Sequence, residues 1–403
     1  MSAEESKLRK IAILVSVAAI LQVAESFFPQ IVPGVKLGLA NMVVLIALVN
    51  MGFAAAIEIA IMRTLISSLI LGTFLSPGFI LSFASAIAST LVMAGLYRMS
   101  QKNGKIFLSL IGISIAGAIT HNLTQLTLVY LLLIKNTGVF LLLPWLGLSS
   151  VITGWATGVI ASQACIRLGR VRIKKAAAGS SIAAGVPDNS RGFSIGRYIK
   201  KDSPIHALAP EIKIFFIISL ALLVIAVNNF YGYAAVLAGL LAAAYASKIP
   251  LPRFFDGVKR LYFFIILSFA LPVMFTTGGH TVFSVWIINI TREGVASGLL
   301  FAFRLVLLMT GAAVLIRTTS PSELADGIRR LLKPFAFTGI SGERVSKIVT
   351  SSLLAIPVFW EDARHFISNY KMGKRKVKGL ILALSSLIVM LYLKSEDESL
   401  KII

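Results

Sequence analysis

The feature that most constrains this chain is its series of long apolar runs. Hydrophobic residues make up 57% of the 403 positions and charged residues 14%, whereas soluble domains carry about 25% charged residues. An apolar run of about 20 residues is long enough to cross the hydrocarbon core of a bilayer as a helix. The sequence therefore predicts an all-α polytopic membrane protein.

The apolar runs fall into two groups, each bounded by turn or charge signals. The first half contains six predicted spans, at residues 11–28, 37–49, 53–73, 79–97, 106–134 and 140–166. The second half contains four, at residues 212–227, 231–246, 261–275 and 295–316. A last run at 380–393 fits either a short span or an interfacial helix. We therefore predict a six-helix bundle followed by a module of four to five spans.

Charge gives the expected orientation of these spans. The formal net charge is +22, and the basic residues collect between apolar runs, which predicts that those segments face the cytoplasm. In the first half they are Lys7, Arg9, Lys10, Arg98, Lys102, Lys105, Arg167, Arg170, Arg172, Lys174 and Lys175. We expect the N-terminus in the cytoplasm and the first run to be a retained helix, since no cleavage site follows it. No basic–aromatic face suggests nucleic acid as a partner.

A polar segment separates the two groups of spans. Residues 169–200 are rich in Ala, Gly, Ser, Lys and Arg, a composition typical of a flexible linker. We therefore predict one module at residues 1–168 and a second at 201–403. The single cysteine, Cys165, excludes an internal disulfide and a cysteine-based metal cluster, and no cofactor or metal is predicted.

An amphipathic helix is predicted directly after the tenth span. Ser320, Pro321 and Glu323 have the spacing of a capping box with proline at the first helical position. Pro334 should move Lys333 out of the α region and end the helix. One face is apolar and the other mostly basic, with Leu324, Ile328, Leu331 and Leu332 on the first and Asp326, Arg329, Arg330 and Lys333 on the second.

The second half resembles a known family of transporter proteins. The segments "KDSPIHALAPEIK" (201–213), "EGVASGLLFAFRLVLLMTGAAVLIRTTSPSELADGIRRLLKPF" (293–335) and "LLAIPVFWEDA" (353–363) carry the resemblance. They are similar to the transmembrane T component of energy-coupling factor (ECF) transporters, the CbiQ-type family. The resemblance implies cytoplasmic helices that end in Ala-Arg-Gly motifs and dock on two ABC ATPases. Where the first such motif is expected, this chain reads "KMGKR" (371–375), so that Gly373 with either Arg375 or Lys374 becomes the candidate docking position.

The first half resembles a second family. The segments "GVKLGLANMVVLIAL" (34–48), "RTLISSLILGTF" (63–74), "GISIAGAITHNLTQL" (112–126) and "LPWLGLSSVITGWATGVIA" (143–161) carry this resemblance. They are similar to the Gx transporter family, also labelled heptaprenyl diphosphate synthase component I, whose members look like substrate-binding S components. The resemblance implies a six-helix S-type bundle that binds a small molecule in a bacterial cytoplasmic membrane.

Polar residues in the apolar runs of the first half are candidates for a substrate site, because such groups are costly in hydrocarbon. The predicted set is Lys36, Asn41, His121, Asn122 and Gln125. Alternatively, these groups only join helices through hydrogen bonds, worth about 0.6 kcal/mol each. Glu58 and Arg63 are expected to neutralise one another or to belong to a loop edge. Gly112, Ala116, Gly117, Gly154 and Gly158 are expected to serve close helix packing.

The amphipathic helix and its neighbours have two interpretations. One is an interfacial helix with its basic face on anionic headgroups. The other is a coupling helix, whose apolar stripe rests on the first module or on its neighbours and whose basic side meets the ATPases. Under this second interpretation the coupling residues are Leu324, Ile328, Arg329, Leu331, Leu332, Gly373 and Arg375.

Three functions remain for the whole chain. The leading hypothesis is a membrane subunit of an ECF-type ABC transporter, which combines the substrate-binding and coupling parts and is not an enzyme. No Gly-x-x-x-x-Gly-Lys-Ser/Thr motif is present, so ATP hydrolysis is expected on partner subunits. The alternatives are a noncatalytic membrane component of heptaprenyl diphosphate synthesis and an ion-coupled secondary carrier. The carrier would rely on intramembrane carboxylates such as Glu25 and Glu58.

Overall fold

The computed structural model describes most of the chain as helix. The described residues are 3–27, 38–101, 108–178, 198–254, 262–276, 280–285, 288–334, 341–369 and 376–395. Within them, five helices are long and apolar enough to cross a membrane, at Phe53–Leu71, Pro77–Gln101, Leu110–Ile134, Thr137–Arg170 and Arg292–Thr318. The prediction of an all-α polytopic membrane protein is confirmed.

Each predicted span of the first half corresponds to one helix. The helices are α1 (Ala3–Phe27), α2 (Leu39–Met51), α3 (Phe53–Leu71), α4 (Pro77–Gln101), α5 (Leu110–Leu128) and α6 (Leu143–Ala178). A π-helical turn (Val129–Ile134) and a 3-10 helix (Thr137–Leu142) connect α5 to α6. A single residue separates α2 from α3. It is Gly52, whose φ of 87° is a conformation that glycine adopts without strain.

The second half also follows its predicted spans, which correspond to α8, α9, α11 and α12. Its helices are α7 (Pro204–Ala207), α8 (Pro210–Ala226), α9 (Phe230–Ala246), α10 (Leu251–Phe254), α11 (Tyr262–Phe275), α12 (Arg292–Thr318), α13 (Pro321–Leu332), α14 (Gly342–Asn369) and α15 (Lys376–Ser395). An antiparallel hairpin that was not expected from the sequence precedes α12, formed by β1 (Thr281–Val285) and β2 (Ile288–Thr291).

Helix α1 lies in the interior and is surrounded by helices of both halves. Its residues 11–21 are all buried, and it packs against α2, α3, α14 and α15. A helix that is apolar on every side is typical of such a buried position. One continuous hydrophobic core consequently contains residues of both halves.

The C-terminal helix α15 packs against the first half. Its main neighbours are α6 and α1, and its side chains Leu387, Ile388 and Tyr392 are buried. A guanidinium nitrogen of Arg167 in α6 donates a hydrogen bond to the hydroxyl of Ser386 in α15. The last apolar run therefore forms a helix that binds the first module laterally.

Part of the predicted linker is helical. Helix α6 continues to Ala178, ten residues beyond the predicted module boundary at residue 168. The basic, alanine-rich stretch there consists of good helix formers, so it extends the preceding span instead of starting a flexible segment. Residues 179–197 lie outside the described residues.

The start of α13 confirms the predicted capping box, but its end differs from the prediction. The Glu323 N–H donates to the Ser320 hydroxyl at 3.2 Å, and the Ser320 N–H donates to the Glu323 carboxylate at 2.7 Å. The helix ends at Leu332 as expected. Lys333 nevertheless keeps α-region angles (φ −52°, ψ −45°), because the chain tightens into a 3-10 turn before Pro334.

The glycines of α6 permit a close contact with α5, as predicted for helix packing. A Cβ atom on Gly154 would lie 2.6 Å from the Ile115 Cα, and one on Gly158 would lie 2.7 Å from the Ile111 Cα. These distances are too short for any side chain, and the obstacle in each case is backbone. The two helices therefore approach at their glycines, which is the usual role of small residues in membrane interfaces.

Replacement of Gly158 by alanine tests this packing. We expect Gly158→Ala to destabilise the protein by about 1–3 kcal/mol, because the new methyl group overpacks the α5 backbone. The matched control is Gly169→Ala on the same helix, where an added Cβ meets nothing within 4 Å. Thermal unfolding in detergent measures both variants. Equal unfolding temperatures for the two variants would contradict a close contact at Gly158.

Candidate functional site

The first half contains a partly open polar cavity, and the space between its walls, open solvent included, is about 670 Å³. Three residues of the predicted substrate site line it, namely Asn41, His121 and Asn122. Gln125 does not line the cavity, but its Nε2 atom lies 3.2 Å from His121 Nε2. Lys36 lies outside the described residues. The structure thus brings three of the five predicted residues to one cavity.

Arg63 is a cavity residue that the predicted site did not include. Its Nη1 donates to the Gln22 side-chain oxygen at 2.8 Å, and its Nη2 donates to the Asn41 side-chain oxygen at 2.5 Å. The Arg63 side chain is only 4% exposed. Glu25 lines the same cavity, and its carboxylate accepts a hydrogen bond from the Leu39 backbone N–H. The signal that could have identified Arg63 was its charge within an apolar run.

The expected neutralisation of Glu58 by Arg63 is wrong. Glu58 instead binds Arg344 of α14, with Nε–Oε1 and Nη2–Oε2 distances of 2.6 and 3.1 Å. The five steps from Glu58 to Arg63 rotate the helix by about 500°, so that the two side chains point about 140° apart. Glu58 points to the second half, whereas Arg63 points into the cavity.

Asn122 lies at the cavity wall and also joins two helices. It lines the cavity, and its Nδ2 also donates to the Ser150 hydroxyl at 2.8 Å and to the Leu146 carbonyl at 3.4 Å. Both acceptors belong to α6, so the amide joins α5 to α6. Truncation of Asn122 would therefore change helix packing as well as the cavity wall.

Helix α14 of the second half binds the first half through polar contacts at two positions. The Ser352 hydroxyl donates to the Ala12 carbonyl of α1 at 2.8 Å, and the Ser16 hydroxyl lies 3.1 Å from the Ser352 carbonyl. Near the start of α14, the Glu58 carboxylate raises the pKa of the Arg344 guanidinium above its ordinary value. The pair is bidentate, a geometry that favours arginine.

A second contact between the halves is formed by Arg304 of α12, which is fully buried. Its Nη1 donates to the Leu133 carbonyl at 3.2 Å and to the Leu132 carbonyl at 3.4 Å, both in the π-helical turn after α5. Within the second half, its Nε donates to the Tyr233 hydroxyl at 3.0 Å and its Nη2 to the Asn228 side chain at 2.6 Å. The guanidinium thus satisfies carbonyl groups at the end of α5 that have no intrahelical partner.

The apolar stripe of α13 rests on neighbours in the second half. Leu324 is 1% exposed, Ile328, Leu331 and Leu332 are half-buried, and α13 packs against α8 and α14. Of the predicted coupling residues, Leu324 is therefore inaccessible to a partner protein. The side chain of Arg329 is 39% exposed. Gly373 and Arg375 lie outside the described residues.

These features define the class of the protein as a polytopic helical membrane protein with a polar cavity in one module, bound by long helices of the other. Its two halves match two different families. Residues 14–164 match the family described as heptaprenyl diphosphate synthase component I, and residues 201–369 match the CbiQ family, described as cobalt transport protein. The two halves of the chain are thus similar to two different kinds of membrane module, as the resemblances in the sequence predicted.

This chain is also similar to individual transporter membrane proteins. One from Thermosediminibacter oceani, named energy-coupling factor transporter transmembrane protein EcfT, is 34% identical over 172 residues, which are 43% of this chain and 64% of the relative. This chain thus spans less than two thirds of that relative. A protein of the same name from Listeria innocua is 29% identical over 212 residues, which are 50% of this chain and 80% of the relative.

A double-mutant cycle at Glu58 and Arg344 tests the ion pair between the halves. We expect Glu58→Gln and Arg344→Met to be non-additive in thermal unfolding, with a coupling free energy of about 1 kcal/mol, because the pair is bidentate and partly buried. The same cycle at Asp326 and Arg329, an exposed pair at 3.3 Å, should give a coupling near zero. Additive effects at Glu58 and Arg344 would show that the pair does not hold the halves together.

Proposed function

We propose that the chain is a membrane subunit of an ECF-type ABC transporter for uptake of a small molecule. In this proposal the first half binds the substrate in the polar cavity, and the second half transmits energy from separate ATPases. Its relatives of the EcfT type support the coupling role. The substrate-binding role rests on the cavity and on the arrangement of α3.

One observation carries this proposal. Helix α3 supplies both Glu58, which binds Arg344 of α14, and Arg63, which lines the cavity. The two residues are five positions apart, or about 7.5 Å along the helix axis. A displacement of α14 would therefore reach the cavity through a single rigid helix. The proposed coupling therefore involves only α14, α3 and the cavity.

The partners and the orientation belong to the same proposal. We place the N-terminus and helices α13 and α14 in the cytoplasm of a bacterial cell, because the basic segments between the spans favour that side. ABC ATPase subunits would bind there and hydrolyse ATP. The exposed basic side of α13, which includes Arg329 and Arg330, is suited to a partner surface with carboxylates.

Charge reversal on α13 tests the docking of the ATPases. The full chain is co-expressed with the ABC ATPases of its host and purified in mild detergent, and the amount of bound ATPase is measured. We expect wild type to retain ATPase subunits and Arg329→Glu to reduce their recovery at least fivefold, because the reversed charge repels carboxylates. The matched control is Arg253→Glu, an exposed arginine of α10 in the same module, which should retain them.

Two results would contradict the proposed function. The first is that wild type recovers no ATPase while substrate uptake by cells is unaffected by ATP depletion, which would favour a secondary carrier. The second is equal loss of ATPase from the Arg329 and Arg253 variants, which would show a general effect of charge instead of docking on α13.

A further inference from the structure

We infer that the cavity of the first half takes a small hydrophilic molecule with an anionic group, a carboxylate or a phosphate, which binds at Arg63. This inference rests on the proposed function, in which the cavity is the substrate site. It adds the chemical class of the substrate.

The wall of the cavity suits neither a prenyl chain nor an aromatic ring system. Eleven of the 16 lining residues in the described part of the chain are polar, and the other five are Gly38, Ala40, Met93, Gly117 and Ala118. Burial of an isoprenoid requires large apolar side chains, and a flat ring is commonly held by aromatic residues. No Phe, Tyr or Trp is among these lining residues, and Met93 is their one large apolar side chain.

Arg63 provides the anion-binding group. Its two Nη atoms bind neutral amide oxygens of Gln22 and Asn41, and its Nε has no hydrogen-bond partner among the described residues. These amides fix the orientation of the guanidinium but carry no charge, and the anion that acts on it among the described lining residues is the Glu25 carboxylate. That carboxylate also accepts the Leu39 N–H, so the unbonded Nε edge of the buried guanidinium is open to an anionic group of a ligand. Arginine also matches the planar geometry of carboxylate and phosphate groups better than lysine does.

The rest of the wall selects a ligand with hydrogen-bonding groups at its other end. Glu25 carries the opposite charge in the same cavity, so a molecule that is anionic throughout would be repelled there. Hydroxyl or amine donors on the ligand would instead pair with the Glu25 carboxylate. Thr64, Ser82 and Thr153 supply hydroxyl groups along the wall. The structure therefore favours a hydroxylated or aminated small anion.

A binding assay without ATPases tests this inference. The full chain is purified in detergent, and its thermal unfolding is followed with fractions of a bacterial metabolite extract. Anion-exchange and reversed-phase columns divide the extract into hydrophilic anions, hydrophilic molecules that are not retained as anions, and hydrophobic molecules. We expect only the hydrophilic anions to raise the unfolding temperature. Phosphatase treatment of that fraction distinguishes the sources, since it abolishes the effect of a phosphate ester and preserves that of a carboxylate.

Three variants connect the stabilisation to the cavity. Arg63→Gln should need at least tenfold more of the anion fraction for the same rise, because the guanidinium is lost. Thr153→Leu should lose the rise while Arg63 stays intact, because leucine fills the cavity. The Thr153 hydroxyl bonds only to carbonyls of its own helix, so this change breaks no bond between helices. Arg98→Gln, an exposed position of α4, is the control and should respond as wild type.

The outcomes separate this inference from the proposed function. Stabilisation by the hydrophobic fraction, by the non-anionic fraction or by none of the three would overturn the inference. An unchanged response in Thr153→Leu would do the same, even if Arg63→Gln proved too unstable to purify. The assay contains no ATPase, so a failure of ATPase docking would leave its result unaffected.

Discussion

Lipid offers no hydrogen bonds, so every polar group within the bilayer has to find its partner inside the protein. Arg304 shows how strongly this constraint acts. Its fully buried guanidinium reaches a hydroxyl and an amide oxygen in the second half and two main-chain carbonyls in the first. Because one half supplies the charge and the other supplies acceptors, separation of the halves would leave a buried cation and exposed carbonyls in hydrocarbon. The two modules therefore behave as one folded unit.

The same constraint explains why α3 is central to the proposed mechanism. A helix with two ionisable residues in an apolar environment is stable only if each residue has its own polar surroundings. The two ionisable residues of α3 lie in different polar environments, since Glu58 binds α14 and Arg63 lines the cavity. The polar requirements of a single helix thus connect the substrate-binding region to the coupling region.

Local patterns of the sequence predicted the helices well. Apolar runs of suitable length marked α2 to α5, α8, α9, α11 and α12, and the Ser320 capping box marked the start of α13. What the sequence could not reveal depended on distant partners. The expected partner of Glu58 was five residues away, whereas the observed one, Arg344, is 286 residues away. Three of the five predicted site residues line the cavity. Arg63 was expected either to neutralise Glu58 or to lie at a loop edge, because the sequence does not specify which way a buried charge points.

The position of α15 has a consequence for how such a fusion can be altered. This helix, the last among the described residues, packs against α6 and α1 of the first module, and α14 packs against α1 and α3, so that two helices of the second half contact the first module. Replacement of the first half by another six-helix module would remove the surface against which Leu387, Ile388 and Tyr392 of α15 are buried. The interface residues of the two halves are therefore matched to each other, and a hybrid protein would require a redesigned interface between α1, α6 and α15.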